Sequence, residues 1–316
     1  MSTNHFAALD VTLGEVMTVP DKLIEVRHDT SVEQVLALMQ RYGITSIPVR
    51  AAGDEQTPGD SSELLGMINL MDVVAFCVFA IAEGDAYLRV DLDNLDNLDS
   101  MAADVIGLVS SEGASEWSFK TYAASEPLNE VMYPFVAGVH RVMVTGDDGE
   151  EGLLSQTDIV RFIHRNADKF PADVLAAPIA ACKGTPVTMD ASSRALVGFR
   201  KMVVNDRSSV GIVDDQGVLV GNLSLSDLRG LSKASFGLLA DPVGDYLRSR
   251  SATGAVRPLI KVPEGTSVQD VIKMMVEEKV HRVWIVDADG KPLGQASMSD
   301  VLLPFTDLSL PLVMPQ

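Results

Sequence analysis

Cysteine is nearly absent from this sequence: there are two in 316 residues, Cys77 and Cys182. Two thiols offer neither a disulfide framework nor metal-ligand spacing, and such usage suits a reducing compartment, the cytoplasm or the nucleus. Long hydrophobic runs are also missing. The best candidate, Val73–Ala82 (VVAFCVFAIA), has ten residues and reads as a buried helix, because a bilayer needs about twenty. The opening MSTNHFAALD lacks the charged and apolar regions expected of a signal peptide. Positive charge is scarce: 25 Lys and Arg face 44 Asp and Glu, a formal net charge of −19. Such a surface repels nucleic acid and anionic lipid, so neither nucleic acid nor membrane is an expected partner. A small anion could bind only where cations gather locally.

Signatures of catalysis are lacking too. There are five histidines, no Ser-His-Asp order with a nucleophile elbow, no glycine-rich phosphate loop and no metal spacing. The chain is therefore expected not to be an enzyme and to require no cofactor. The acidic Gly146–Gly152 (GDDGEEG) lacks the alternating ligand positions of a calcium loop and reads as a hairpin turn.

What the sequence does have is a repeat. It is 47% hydrophobic, enough to build cores. Thr30-Ser31-Val32-Glu33 matches Thr266-Ser267-Val268-Gln269, each a candidate capping box with Thr as N-cap. Apolar residues follow at helical spacing: Val32, Val35, Leu36, Met39 and Val268, Val271, Ile272, Met275. Ser125-Glu126-Pro127 and Met189-Asp190-Ala191-Ser192 read as two further helix starts. Four heptads close the repeats: GMINLMD (66–72), GLLSQTD (152–158), GNLSLSD (221–227) and GQASMSD (294–300). Each places Asn or Ser three residues, and Asp six residues, after Gly. Four in register, each downstream of a helix, a strand and a turn, specify a tandem strand–helix–strand–turn–strand–helix unit. A unit of roughly 50 to 70 residues is marginal alone, so two pairs are expected. Residues 51–63 form a polar hairpin expansion. Residues 83–115 form a linker holding an acidic run and a short amphipathic MAADVIGLV.

A unit ending G-h-h-S-x-S/T-D resembles the CBS domain. Four in tandem, with VHRVWIVDADGKPLG and SMSD in the last and GVHRVMVTGDDGEEGLLSQTDIVRFI in the second, resemble the gamma subunit of AMP-activated protein kinase. They are more similar still to plant gamma-like subunits of the sucrose-nonfermenting-related kinases. The resemblance implies an α/β fold of four tandem CBS repeats, forming two CBS pairs in a flat pseudo-symmetric disk. The units would span 9–82, 116–170, 172–236 and 240–308. It also implies a non-catalytic subunit that binds AMP, ADP or ATP and sits with a kinase alpha (catalytic) and beta (scaffold) subunit.

The residues carry a matching chemistry. A carboxylate at a helix start suits the helix dipole and accepts from both vicinal hydroxyls of a ribose. The plainer alternative is that Asp72, Asp158, Asp227 and Asp300 are N-caps. By resemblance these four contact ribose. Ser155, Thr157, Ser224, Ser226, Ser297 and Ser299 would line the same mouths, joined by Thr45, whereas the first unit carries Asn69 and Met71. Phosphate needs donors and positive charge. His140-Arg141 and His281-Arg282 stand at the start of equivalent strands, each after a valine, and are the expected phosphate-binding pairs. The corresponding arginine position reads as Thr45 in the first unit and Ser209 in the third. His164-Arg165 lies late in a helix, where cations suit the dipole, and reads as structural or surface. Two other functions fit the same features: a CBS-based structural adaptor with degenerate or constitutively filled sites, or a nucleotide-dependent regulator of a non-kinase metabolic or redox enzyme.

Overall fold

The computed structural model describes residues 6–17, 23–51, 63–79, 98–108, 120–147, 149–182, 184–251 and 258–306. The polar expansion at 52–62 and the acidic run at 83–97 lie outside these residues. Four three-stranded sheets form, one per repeat. They are β1 Val26–Arg27, β2 Ser46–Arg50 and β3 Leu64–Asn69; β4 Thr121–Ala123, β5 Arg141–Thr145 and β6 Glu151–Ser155; β7 Thr188–Asp190, β8 Ser209–Val213 and β9 Leu219–Ser224; β10 Lys261–Pro263, β11 Arg282–Val286 and β12 Pro292–Ser297. In each sheet the first strand runs parallel to the second, and the second antiparallel to the third. The parallel step needs a crossover, and the first helix of each unit supplies it.

Those helices follow the apolar spacing. In Val32–Tyr42 the residues Val32, Val35, Leu36 and Met39 are fully buried. Helix Val268–Glu277 buries Val268, Val271, Ile272 and Met275. The caps fall one residue later than Thr30 and Thr266. Ser31 is the N-cap, its hydroxyl accepting from the Gln34 N–H while the Gln34 side chain accepts from the Ser31 N–H. Ser267 accepts from the Asp270 N–H. The serines are extended, with ψ near 150°, so the helices begin at the valines. In the third unit Met189-Asp190 pair with Ile212-Val213 in the sheet, and the helix starts only at Ala195. The sheet ladder there outcompetes the helix start read from the sequence.

The segment leading into each unit packs on another unit. Residues 6–17 join the second: Leu13 N–H donates to the Glu126 carbonyl, and Leu128 N–H to that of Val11. Residues 98–105 return to the first, where Val32 N–H donates to Ser100 and Ala102 N–H to Thr30. The MAADVIGLV stretch therefore completes the first unit over its described part and is not a free spacer. The same exchange links the third and fourth units. Val268 N–H donates to the Ala177 carbonyl, and Val243 N–H to that of Ser193. Exchange of leading segments defines two pairs, first with second and third with fourth.

Across each pair the sheets meet through polar contacts. Arg50 is held by Glu25 and by Glu151 of the second unit. The Trp284 indole donates to Asn222 Oδ1 across the other pair at 3.0 Å. The helices instead join the pairs. One buried core runs through the first and third units, including Val35, Leu36, Val74, Phe199, Leu228 and Tyr246. A second runs through the second and fourth units and takes in Leu9, Leu13 and Val16 from the leading segment. Each fully buried aliphatic side chain is worth about 1.5–3 kcal/mol, against about 1 kcal/mol for a hydrogen bond, so the helix contacts dominate the assembly energy. The four units thus close a ring: first to second, second to fourth, fourth to third, third to first. No helix among the described residues is long and apolar enough to cross a membrane.

Candidate functional site

The closing heptad turns from the third strand into the second helix at one place in every unit. There a backbone N–H donates to the carbonyl just before the second strand: Leu70 to Thr45, Gln156 to His140, Leu225 to Ser208 and Met298 to His281. The strand register agrees, pairing Ser46 with Asn69, Arg141 with Ser155, Ser209 with Ser224 and Arg282 with Ser297. The position equivalent to Arg141 and Arg282 is therefore Ser46 in the first unit, not Thr45. Thr45 occupies the histidine position. The assignment of Ser209 in the third unit stands.

The aspartates are not N-caps. Ser155, Ser224 and Ser297 take that position, and the aspartates sit three residues on, completing capping boxes. Asp158 Oδ2 accepts from the Ser155 hydroxyl at 2.6 Å and N–H at 3.0 Å. Asp227 Oδ2 accepts from the Ser224 hydroxyl at 3.0 Å and N–H at 2.7 Å. Asp300 Oδ2 accepts from the Ser297 hydroxyl at 2.6 Å and N–H at 2.7 Å. In the first unit Asn69 Oδ1 accepts from the Asp72 N–H at 3.0 Å, the bond that Ser155 Oγ makes with the Asp158 N–H at 3.3 Å in the second.

In the three boxes one carboxylate oxygen is thus committed locally. Asp227 Oδ1 is buried without a hydrogen-bond partner among the described residues. Burial pushes the Asp227 carboxyl up to about 6; the Ser224 bonds and the nearby Arg229 and Arg250 only partly oppose this. Burial raises the Asp300 carboxyl as well, against the Ser297 bonds and the positive fields of Arg207 and Arg282.

Each arginine of a His-Arg pair reaches into the neighbouring unit of its pair. Arg141 donates to Thr45 Oγ1 at 3.0 Å and to Ser46 Oγ at 2.7 Å. Arg282 donates to Ser208 Oγ at 2.8 Å. Thus an arginine in one unit meets hydroxyls at the matching positions of the other. Two arginines there would oppose like charges in a half-buried space, and each pair instead sets one arginine unit against one hydroxyl unit. Burial pushes the Arg282 guanidinium down to about 10, partly offset by Asp227 and Asp300.

A cavity of about 400 Å³ lies where the four units meet, with residues of every unit in its wall. All four expected phosphate-binding residues, His140, Arg141, His281 and Arg282, line it. So do the hydroxyl residues: Thr45, Ser155 and Thr157 on one pair, and Ser224, Ser226, Ser297 and Ser299 on the other. Several are already bonded to one another: Ser224 to Ser226 at 2.7 Å, and Gln156 Nε2 to Ser299 Oγ at 2.7 Å. Among the four aspartates, Asp300 lines the cavity, whereas Asp72, Asp158 and Asp227 lie behind its wall.

The wall also holds residues that spacing did not single out: Asp206, Arg207 and Ser208 of the third unit and Gln295 of the fourth. The signal for them was available. Asp206, Arg207 and Ser208 occupy the turn equivalent to Gly138-Val139-His140, in a unit without a His-Arg pair, whereas Gln295 sits within β12. The assembled wall can supply cations and hydroxyl donors to an anion, and one carboxylate to a neighbouring diol.

Comparison with known proteins matches this architecture. The CBS domain model matches residues 13–78 and 252–304. Protein Sds23 of Yarrowia lipolytica is 27% identical over 91% of this chain and 59% of its own length. This chain spans a little over half the length of the Sds23 relatives it matches. The Arabidopsis thaliana protein named SNF1-related protein kinase regulatory subunit gamma-like PV42b is 24% identical over 91% of this chain and 92% of its own. Among solved structures, a Methanocaldococcus jannaschii protein described as a proposed archaeal homologue of g-AMPK superposes with a TM-score of 0.67. The match has 19% identity and covers 94% of this chain and all of the other, a likeness of fold.

Proposed function

Because this chain is built of CBS domains in two pairs, we propose that it is a non-catalytic regulatory subunit that binds an adenine nucleotide in the central cavity. The observation that carries the reading is convergence. Arg141 and Arg282, on different pairs, line one cavity together with two histidines, in a chain of net charge −19. Ser297, Ser299 and Asp300 beside them suit ribose hydroxyls, and the adjacent guanidinium groups suit phosphate. A volume of about 400 Å³ falls in the ordinary range for small-ligand sites, roughly 300–1,000 Å³. Binding at the junction of four units would favour one arrangement of the ring, and a partner bound across the ring would read that preference. The partner reading is a kinase alpha and beta subunit. It is supported by the VHRV and S-x-S/T-D motifs and by the name of the Arabidopsis relative.

Titration calorimetry with AMP, ADP and ATP tests the ligand. Arg141→Ala and Arg282→Ala should each weaken binding about tenfold or more, since a charge-assisted bond is worth roughly 1.5–3 kcal/mol. Absence of binding at millimolar nucleotide by the folded chain refutes nucleotide sensing.

A second reading is a structural adaptor. It is favoured by the bonds of Arg141 to Thr45 and Ser46 and of Arg282 to Ser208, which tie both guanidinium groups to the partner unit of their own pair. Capture of the same partner with and without nucleotide would select it. The Sds23 relatives, whose name points to no kinase, keep a non-kinase enzyme partner in view, and pull-down mass spectrometry separates the two partner classes.

A further inference from the structure

One position breaks the repeat beside the cavity. In each unit the first helix ends in a residue of left-handed conformation: Gly43 (φ 67°), Gly138 (φ 103°), Asp206 (φ 47°) and Lys279 (φ 54°). The next residue closes the turn with the same backbone bond. Ile44 N–H donates to Met39, Val139 to Pro134, Arg207 to Met202 and Val280 to Met275, all between 2.8 and 3.2 Å. Ile44, Val139, Arg207 and Val280 are thus structurally equivalent. Three are apolar and face the core: Val139 and Val280 are buried, and Ile44 packs on the first core. The fourth is an arginine that lines the central cavity. The aspartate before it adopts a left-handed conformation that costs a non-glycine residue about 1 kcal/mol or more.

Among the described residues, the Arg207 guanidinium donates only to the Asp206 carbonyl, at 3.3 Å. Its charge acts on Asp300 of the fourth unit, on which Arg282 also acts. Arginines of three units, Arg141, Arg207 and Arg282, therefore line the cavity. A single terminal phosphoryl group offers three free oxygens. Three guanidinium groups, each presenting five donors in a rigid fork, crowd like charges when aimed at one such group. A chain of two or three phosphoryl groups spreads the acceptors and adds negative charge.

Resting on the nucleotide reading above, we propose that Arg207 is a third phosphate-binding residue that makes the cavity favour nucleotides carrying two or more phosphates over AMP. Arg207→Val is the direct test, because it installs the side-chain type that the other three units carry and so preserves the turn. Binding of AMP, ADP, ATP and inorganic tripolyphosphate is measured by calorimetry on the full chain, with melting temperature as the control for folding. ADP, ATP and tripolyphosphate should each bind about tenfold more weakly to the variant, and AMP within about twofold of the parent, as loss of one charge-assisted contact requires. The melting temperature should stay level or rise.

An equal loss for AMP and ATP, or no change for any ligand, overturns the proposal. If Arg207→Val melts well below the parent, Arg207→Gln, which keeps polarity and length, must show the same selective loss or the proposal falls. Should the parent bind tripolyphosphate in an Arg207-dependent way but no nucleotide, the nucleotide reading fails while Arg207 remains a polyphosphate contact. A parent that binds none of the four overturns both.

Discussion

Asp227→Asn should stabilise the folded chain near neutral pH, although it alters a carboxylate repeated four times in the sequence. Asp227 is 1% exposed, and its Oδ1 has no hydrogen-bond partner among the described residues. Burial lifts its pKa from 3.8 to about 6. At about 1.4 kcal/mol per tenfold change in proton affinity, the ionised form costs the folded state about 3 kcal/mol. The folded carboxyl holds its proton more tightly than the unfolded one. Stability attributable to this group is therefore greatest below about pH 4, falls as pH rises to about 6, and stays low above it. Asparagine mimics the protonated acid at every pH. It keeps an acceptor for the Ser224 hydroxyl and N–H, and the charge assistance it gives up is already contained in the raised pKa. The net gain at pH 7.5 is about 3 kcal/mol, or several degrees of melting temperature. At pH 4 the advantage disappears. Melting both proteins from pH 4 to 8 checks this. The variant should keep part of the parent's slope, because burial raises Asp300 in the same direction. A variant less stable than the parent at pH 7.5, or a difference that does not change with pH, would refute the reasoning.

Two further outcomes follow from packing and burial. A Cβ on Gly211 would lie 2.9 Å from Leu219 Cδ1 and 2.9 Å from Cη2 of Trp284, the rigid, buried ring of the adjoining unit. Gly211→Val should destabilise the pair of third and fourth units by about 1–3 kcal/mol and alter tryptophan fluorescence; an unchanged melt and spectrum would contradict the close approach. Burial pushes the Cys77 thiol up to about 12. In a Cys182→Ser background the remaining thiol should resist a disulfide reagent at pH 8 until urea unfolds the chain, and fast labelling of the native protein would count against its burial.

Much of the fold was legible because the repeat announces itself locally. The four closing heptads mark the turn from sheet to helix in every unit, and the apolar spacing of Val32–Met39 and Val268–Met275 marks the buried faces. Errors arose where two local solutions are close in energy. Thr30-Ser31 and Thr266-Ser267 each offer two hydroxyls to one helix start, and the backbone chose the second. Asp at the third helical position and Asp at the cap read alike in a S-x-S-D string. The arginine position of the first unit was misplaced by one residue because no His-Arg pair anchors GITSIPV; pairing of Ser46 with Asn69 settles it.

Other features have no local signature. The exchange of leading segments joins Leu13 to Glu126, and Val32 to Ser100, across gaps that spacing alone cannot bridge. Nor does periodicity reveal that the helices of the first unit share a core with those of the third. An amphipathic face specifies that it will be covered, not by what.

The amino-acid order by itself determined the repeat, the mouths with their serines and aspartates, and the two His-Arg pairs. These are short-range properties, set by hydrogen bonds and side-chain spacing within one unit. Tertiary structure decided which mouths share a cavity, that Arg141 and Arg282 reach across their pairs, that Asp300 faces the cavity while Asp227 is sealed behind it, and that Arg207 joins them. These depend on how four units close around a common centre. Burial of apolar surface drives that closure without encoding, at any single position, which partner will do the burying.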